Sequence, residues 1–126
     1  MEFETLNWLA VIAGAVVAFL FGWLWYSPLL FLKTWAKGSG VELAEDSKLP
    51  VGAMVLQIAG LFCLALVIGI TASFDALFAA IFAILAAATL TASNGAFCNK
   101  STAALTIDAG YIVCAGIVMI LAQAVL

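Results

Sequence analysis

The sequence predicts an all-α integral membrane protein, a bundle of four transmembrane helices, and three observations support this fold class. The 126-residue chain is 67% hydrophobic and only 9% charged, with a mean hydropathy of +1.28. Soluble domains carry about 25% charged residues, so this chain has too few charges to cover a water-exposed surface. Four long apolar runs fill most of the chain, and every lysine lies in a gap between two runs.

The four runs have the length that a membrane-crossing helix needs. About 20 residues at 1.5 Å each cover the roughly 30 Å hydrocarbon core of a bilayer. The runs predict helices at about residues 6–27, 51–71, 75–93 and 105–125. Residues 1–126 then form a single membrane domain, and its one substantial hydrophilic segment is a polar loop at about 38–50.

The first apolar run is expected to remain as a membrane helix. A signal peptide needs positive charge before its apolar stretch, whereas Glu2 and Glu4 precede this one. Ser27-Pro28 predicts an interruption, because proline removes a backbone donor and clashes with the preceding turn. Residues 29–37 then form either an interfacial helix with its lysines reaching water, or a continuation of the first helix through a kink.

The lysines predict an orientation. Lys33, Lys37 and Lys48 follow the first helix, and Lys100 follows the third, so all four lie on one side of the membrane. The N-terminus and the turn near Asp75 carry acidic residues and no lysine. Lysine and arginine accumulate in cytoplasmic loops. We therefore expect both termini outside and the lysine-bearing loops in the cytoplasm.

Small residues recur at helical spacing along the predicted helices. Lipid is as apolar as leucine, so membrane helices associate through close packing of small residues and through interhelical hydrogen bonds. The stripes indicate helix packing within one bundle or between subunits, and both interpretations stay open. We expect membrane lipids around the chain, and a homo-oligomer or a larger membrane complex as its assembled form. The helix-packing candidates are Gly14, Ala18, Gly22, Gln57, Gly60, Ala76, Ala80, Ala83 and Ala87.

Asp108 is the one acidic residue clearly inside an apolar run, about one turn into the fourth helix. An ionised carboxylate in hydrocarbon is unfavourable and usually faces the bundle interior or water. A lysine, Lys33 or Lys100, could neutralise it from the interface. The predicted polar cluster consists of Asp108, Tyr111, Asn94, Tyr26 and Ser27. One interpretation is an interfacial hydrogen-bonded lock, and the other is a proton, ion or solute site.

The residue inventory predicts that the chain is not an enzyme. It holds no histidine, no paired carboxylates and no glycine-rich phosphate loop. Its three cysteines, Cys63, Cys98 and Cys114, lack metal-ligand spacing, so we expect no metal and no cofactor. Without arginine and with only four lysines, it has no basic patch for nucleic acid.

Four segments together carry a family resemblance. They are Asn7-Trp8-Leu9-Ala10-Val11, Trp25-Tyr26-Ser27-Pro28, Phe97-Cys98-Asn99-Lys100-Ser101 and Asp108-Ala109-Gly110-Tyr111. This pattern resembles the bacterial membrane-protein family called domain of unknown function 1761, over nearly the whole chain. The resemblance implies a small four-helix protein of the bacterial inner membrane without an assigned activity. It also marks Trp25, Pro28 and Gly110 as motif positions beside the predicted polar cluster.

Two functions remain as expectations. The first is a non-enzymatic membrane protein that acts by homo-oligomerisation or as an accessory subunit of a membrane complex. The second is a small oligomeric transporter or channel, with a polar site around Asp108 on the cytoplasmic side. The small-residue stripes favour the first function, and the acidic residue within a membrane helix favours the second.

Overall fold

The computed structural model describes residues 6–27, 29–40 and 51–126. Its secondary structure within these ranges is helical. Pro28 and most of the predicted polar loop, residues 41–50, lie outside the described residues. The helices are α1 (Trp8–Trp25), α2 (Leu32–Ser39), α3 (Val51–Ser73), α4 (Leu77–Phe97) and α5 (Thr102–Val125).

Four of these helices, α1, α3, α4 and α5, are long and apolar enough to cross a membrane. The shortest, α1, has 18 residues. At 1.5 Å per residue it is about 27 Å long, which approaches the hydrocarbon thickness of a bilayer. The predicted all-α fold with four transmembrane helices is therefore confirmed.

The chain after α1 forms a separate short helix rather than a kinked continuation. Asn7 starts α1, because its Oδ1 accepts a hydrogen bond from the Ala10 backbone N–H at 3.1 Å. After Trp25 the backbone turns, and the Leu32 N–H donates to the Ser27 carbonyl. The eight-residue α2 follows, and Gly40 ends it in the left-handed conformation with φ of +72°.

The connection between α4 and α5 is shorter than the sequence suggests. We expected the third span to end near residue 93 and the fourth to begin near 105, whereas α4 ends at Phe97 and α5 begins at Thr102. Asn99 has φ of +61°, a left-handed conformation that asparagine tolerates, and it reverses the chain. Ser101 then caps α5 by accepting a hydrogen bond from the Ala104 N–H at 3.1 Å.

Helix α5 lies at the centre of the bundle. It contacts α1, α2, α3 and α4, with its largest contacts to α1 and α4. Gly116 allows the close approach of α4, because a Cβ at this position would overlap the side chain of Ile84. The core that surrounds α5 combines small residues with a few large ones: Val11, Ala18, Leu61, Ala65, Ile68, Ala80, Ile84, Tyr111, Ala115 and Met119.

The two halves of α3 differ in their surroundings. Its second half packs into the bundle and buries Leu61, Ala65, Ile68 and Gly69. In its first half, residues 51–60, every residue except the half-buried Met54 is exposed on the monomer. The α3–α4 hairpin is thus packed most closely near its turn at Asp75, and most side chains at the far end of α3 are exposed.

Candidate functional site at the lysine-bearing end

One end of the bundle brings together the end of α1, all of α2, the end of α4 and the start of α5. We call it the lysine-bearing end, because Lys33 and Lys37 lie on α2 and Lys100 lies between α4 and α5. Two of the four sequence segments that suggested a family, residues 25–28 and 108–111, meet here through Trp25, Tyr26 and α5. Their contacts define the candidate site.

Trp25 fixes the end of α1 against the first turns of α5. Its indole Nε1 donates a hydrogen bond to the Ile107 carbonyl at 3.0 Å. Its ring lies over Gly110, where an added Cβ would be 3.4 Å from the Trp25 Cζ2 atom. The indole also contacts Phe31, with ring centroids 4.7 Å apart. The ring therefore fills the space between α1, α5 and the turn that leads to α2.

Asp108 is paired through both carboxylate oxygens. Its Oδ1 accepts a hydrogen bond from the Tyr26 hydroxyl at 2.6 Å, and its Oδ2 accepts one from the Lys100 ammonium at 2.9 Å. The Asp108 side chain is only 12% exposed, and that of Lys100 is 26% exposed. We call these three residues the Asp108 cluster. The charge-assisted hydrogen bonds offset the unfavourable burial of the carboxylate.

Lys100 reaches Asp108 because of the turn between α4 and α5. The Lys100 N–H donates to the Gly95 carbonyl, which holds the residue against the end of α4. Its side-chain stem packs at Gly95, where an added Cβ would lie 3.2 Å from the Lys100 Cδ atom. The ammonium then reaches forward along α5 to Asp108, which lies less than two turns from the helix start. Of the two lysines that the sequence offers for this role, Lys33 is exposed on α2 instead.

Tyr111 continues the polar contacts towards the middle of the bundle. It is 2% exposed, and its hydroxyl donates to the Ala18 carbonyl at 2.7 Å. The Gln57 amide of α3 lies beside the same hydroxyl. Gly22 makes room for this contact, because a Cβ there would lie 2.9 Å from the Tyr111 Oη atom. One tyrosine thus links α5 to α1 by a hydrogen bond at membrane depth.

Helix α2 covers the outer side of the Asp108 cluster with Trp35. The Trp35 ring meets Tyr26 edge to face at a centroid distance of 5.6 Å. The Lys100 Nζ atom lies 5.5 Å from the Trp35 ring centroid, within range of a cation–π interaction. The sequence analysis did not assign Trp35 to the site. The one signal for it was the aromatic residue between two lysines.

Two residues of the predicted polar cluster do not join Asp108. Asn94 lies within α4, which continues to Phe97, and the Asn94 side chain is on the exposed face of this helix. Ser27 donates its hydroxyl back to the Leu24 carbonyl at 2.7 Å and so caps the end of α1. The polar cluster in the described residues therefore consists of Asp108, Tyr26, Tyr111 and Lys100, with Gln57 beside Tyr111.

The predicted helix-packing residues fall into two groups. Along α1, Gly14 and Ala18 are buried and Gly22 is half-buried, and all three lie against α5. Ala80 is buried in the core, Ala83 and Ala87 are half-buried along α4, and Ala76 is half-buried at its N-cap. Gly60 is different, because nothing lies within 4 Å of the position its Cβ would take.

The chemistry available at the Asp108 cluster is that of a satisfied ion pair. Within residues 6–27, 29–40 and 51–126, no three histidine, cysteine or acidic residues come close enough together to hold a metal ion. A cleft of about 260 Å³ lies at the opposite end, beside Asp75, Thr71 and Gln123. The carboxylate at membrane depth and this cleft are thus separated by the length of the bundle.

Fold and site together define an integral membrane protein that crosses the bilayer four times, with its first and last spans joined by hydrogen bonds at one end. Residues 9–123 match the model of the family described as Protein of unknown function (DUF1761), and the chain belongs to this family. No curated protein and no solved structure matches the chain significantly.

Proposed function

We propose that this chain is a non-enzymatic membrane protein that acts by assembling, with copies of itself or as an accessory subunit of a larger membrane complex. The observation that carries the proposal is the uncovered first half of α3. Gly52 and Gly60 both lie there, and nothing is within 4 Å of either Cβ position. Glycine lowers helix propensity by about 1 kcal/mol and is favoured in membrane helices where another helix packs closely.

The exposed face of α4 adds a second argument. Thr89, Ser93 and Asn94 are exposed on consecutive turns of this span. Hydrogen bonds between membrane helices contribute roughly 1 kcal/mol each, because the alternative is a polar group in hydrocarbon. A second chain packed on the α3–α4 side would give these side chains partners and fill the space beside the glycines.

The Asp108 cluster fits this proposal as a lock that sets the shape of the bundle. Both carboxylate oxygens already have donors within the chain, at 2.6 and 2.9 Å. The cluster joins the end of α1, the α4–α5 turn and α5. Its role is to hold the central helices together so that the α3–α4 side presents a constant surface to a partner.

Native cysteines provide the test of assembly. Cys63 is exposed on α3 one turn from Gly60, whereas Cys114 is half-buried on α5. Chains that keep one cysteine each are oxidised or treated with a bifunctional maleimide in native membranes. We expect cross-linked products from the chain with Cys63 and few from the matched control with Cys114. A strictly monomeric species in nanodiscs and in several mild detergents, together with no Cys63 product, would contradict the proposal.

A second candidate function, a small oligomeric transporter or channel, is favoured by one observation. Asp108 is an acidic residue in a membrane span and keeps 12% of its side chain exposed. Asp108→Asn separates the two functions in reconstituted vesicles. Loss of a proton- or ion-coupled flux with assembly intact would support transport. Loss of assembly alone, with no flux in the parent chain, would support the lock.

For the orientation, we propose that the lysine-bearing end faces the cytoplasm of a bacterial cell and that both termini lie outside. Lys33, Lys37 and Lys100 support this, because all three lie at one end of the bundle and Asp75 lies at the other. Cys98 follows α4 at the lysine-bearing end and is exposed. A membrane-impermeant maleimide should label it in inverted vesicles, and should label an Asp75→Cys chain in intact cells after outer-membrane permeabilisation. The reverse pattern would overturn this orientation.

A further inference from the structure

Helix α2 presents two distinct faces at the lysine-bearing end. Its inner face packs on α5, where Ala36 is buried and the Gly38 carbonyl accepts a hydrogen bond from the Ser101 N–H at 2.9 Å. A Cβ at Gly38 would overlap Ser101, so the helix lies against the start of α5 with no space between them. The outer face is therefore fixed in position relative to the membrane-spanning helices.

The outer face of α2 carries positive charge. Lys33, Thr34 and Lys37 are all exposed, and the spacing of i, i+1 and i+4 places them on one side of the helix. The third lysine that the described residues place at this end, Lys100, points inward to Asp108. The outer face of α2 thus combines two ammonium groups and a hydroxyl, all of which are donors to phosphate oxygens.

The position of α2 relative to the spans indicates that a phosphate bound by these donors would belong to a lipid headgroup. The helix follows the end of α1 by six residues, so it lies where a bilayer changes from acyl chains to headgroups. Leu29 and Leu30, just before it, are 83% and 47% exposed. Leucines exposed at this level contact acyl chains, and the lysines of the next turn reach the headgroups, as in interfacial helices.

We infer that the outer face of α2 binds the phosphate of an anionic phospholipid, with Lys33 and Lys37 as the cationic contacts and Thr34 between them. The whole chain has a net charge of −3, which by itself would repel an anionic bilayer. Any preference for anionic lipid must therefore come from a local positive surface. This inference depends on the membrane-spanning fold and not on the proposed assembly.

Spin-labelled lipids measure this preference directly. The full chain is reconstituted in phosphatidylcholine vesicles that contain spin-labelled phosphatidylglycerol or spin-labelled phosphatidylcholine, and the immobilised fraction of each is compared. Each lysine near an anionic surface contributes roughly fivefold to binding, and the two factors multiply, so we expect a preference for phosphatidylglycerol of about twentyfold. Lys33→Gln with Lys37→Gln should reduce it to near unity, and 0.5 M salt should weaken it in the parent chain.

Matched variants distinguish lipid binding at α2 from an effect of the total charge of the chain. Lys33→Arg with Lys37→Arg keeps the charge and should keep the preference. Lys48→Gln removes a lysine from the chain beyond α2 and should leave the preference nearly unchanged. Circular dichroism and gel filtration check that each variant is folded. The inference is overturned if the parent chain shows no preference, or if Lys48→Gln lowers it as much as the double substitution on α2.

Discussion

The contact between α1 and α5 and the first half of α3 both belong to long apolar spans, yet only the α1–α5 contact is closely packed. The α1–α5 contact holds Gly14 against Met119 and Gly22 against Tyr111. The first half of α3 belongs to the most apolar of the four spans, and its residues 51–60 are almost all exposed. Apolar character therefore does not determine which helices meet.

The difference follows from the solvent. In water, burying apolar area would favour packing of α3 over any other span, but in lipid the surroundings are as apolar as the helix itself. What the α1–α5 contact has in addition is close fit and hydrogen bonds. Trp25, Tyr26 and Tyr111 each donate across it, at 3.0, 2.6 and 2.7 Å. The predictions below remove these contributions one at a time, from the largest effect to the smallest.

Asp108→Ala should have the largest effect. It leaves the Lys100 ammonium and the Tyr26 hydroxyl without their acceptor in a partly buried position. We expect the free energy of unfolding to fall by about 3 kcal/mol, the low end for a broken buried pair, since Lys100 keeps 26% exposure. Unfolding in mixed micelles followed by circular dichroism measures it.

The control for this substitution is Asp75→Asn at the other end of the bundle. Asp75 is exposed and has φ of +53°, which asparagine also adopts, so the unfolding free energy should change by less than about 0.5 kcal/mol. Lys100→Met combined with Asp108→Leu should recover part of the loss, because no charge is then left unpaired. Equal unfolding free energies for Asp108→Ala and Asp75→Asn would contradict the proposal that the Asp108 cluster holds the central helices together.

Met119→Ala and Leu56→Ala compare the same kind of truncation in the two regions. Met119 on α5 is 1% exposed, whereas Leu56 on α3 is 74% exposed. The first should lower the unfolding free energy by about 2–3 kcal/mol, because it leaves a cavity beside Gly14. The second should change it by less than about 0.5 kcal/mol, because a lipid chain replaces the lost atoms. A large effect of Leu56→Ala on a verified monomer would show that α3 packs there after all.

The sequence predicts the number of spans, the break after α1 and Asp108 as a buried polar centre, because each depends on composition or on a single residue. It does not predict how each helix is rotated about its axis. Successive residues of a helix differ by about 100° around its axis, so an error of one residue in the rotation of α4 turns a predicted inward side chain outward. Asn94, which we expected near Asp108, is exposed in the structure for this reason. The choice of Lys100 over Lys33 likewise depends on the left-handed turn at Asn99, which appears only in the folded chain.

Gly116→Ala and Gly60→Ala test the fit of the glycines. A methyl group at Gly116 would overlap Ile84, and the cost of overpacking should lower the unfolding free energy by about 2 kcal/mol. Gly60 has open space, so alanine there should raise the stability of the monomer by up to about 1 kcal/mol through helix propensity. If another chain covers Gly60, the same substitution should also reduce the Cys63 cross-link. An unchanged cross-link would place the partner elsewhere on the chain.

Tyr111→Phe should have the smallest of these effects and reports on hydrogen bonding alone. Its ring still stacks with Phe21, at a centroid distance of 6.4 Å, and only the hydroxyl that donates to the Ala18 carbonyl is lost. We expect a fall of about 1 kcal/mol in the unfolding free energy, the size of one interhelical hydrogen bond in a membrane. Thr106→Val on the same helix is the control, since the Thr106 hydroxyl is exposed and bonds only the Thr102 carbonyl of its own helix. If both substitutions give the same change, shape rather than hydrogen bonding distinguishes the α1–α5 contact from the exposed half of α3.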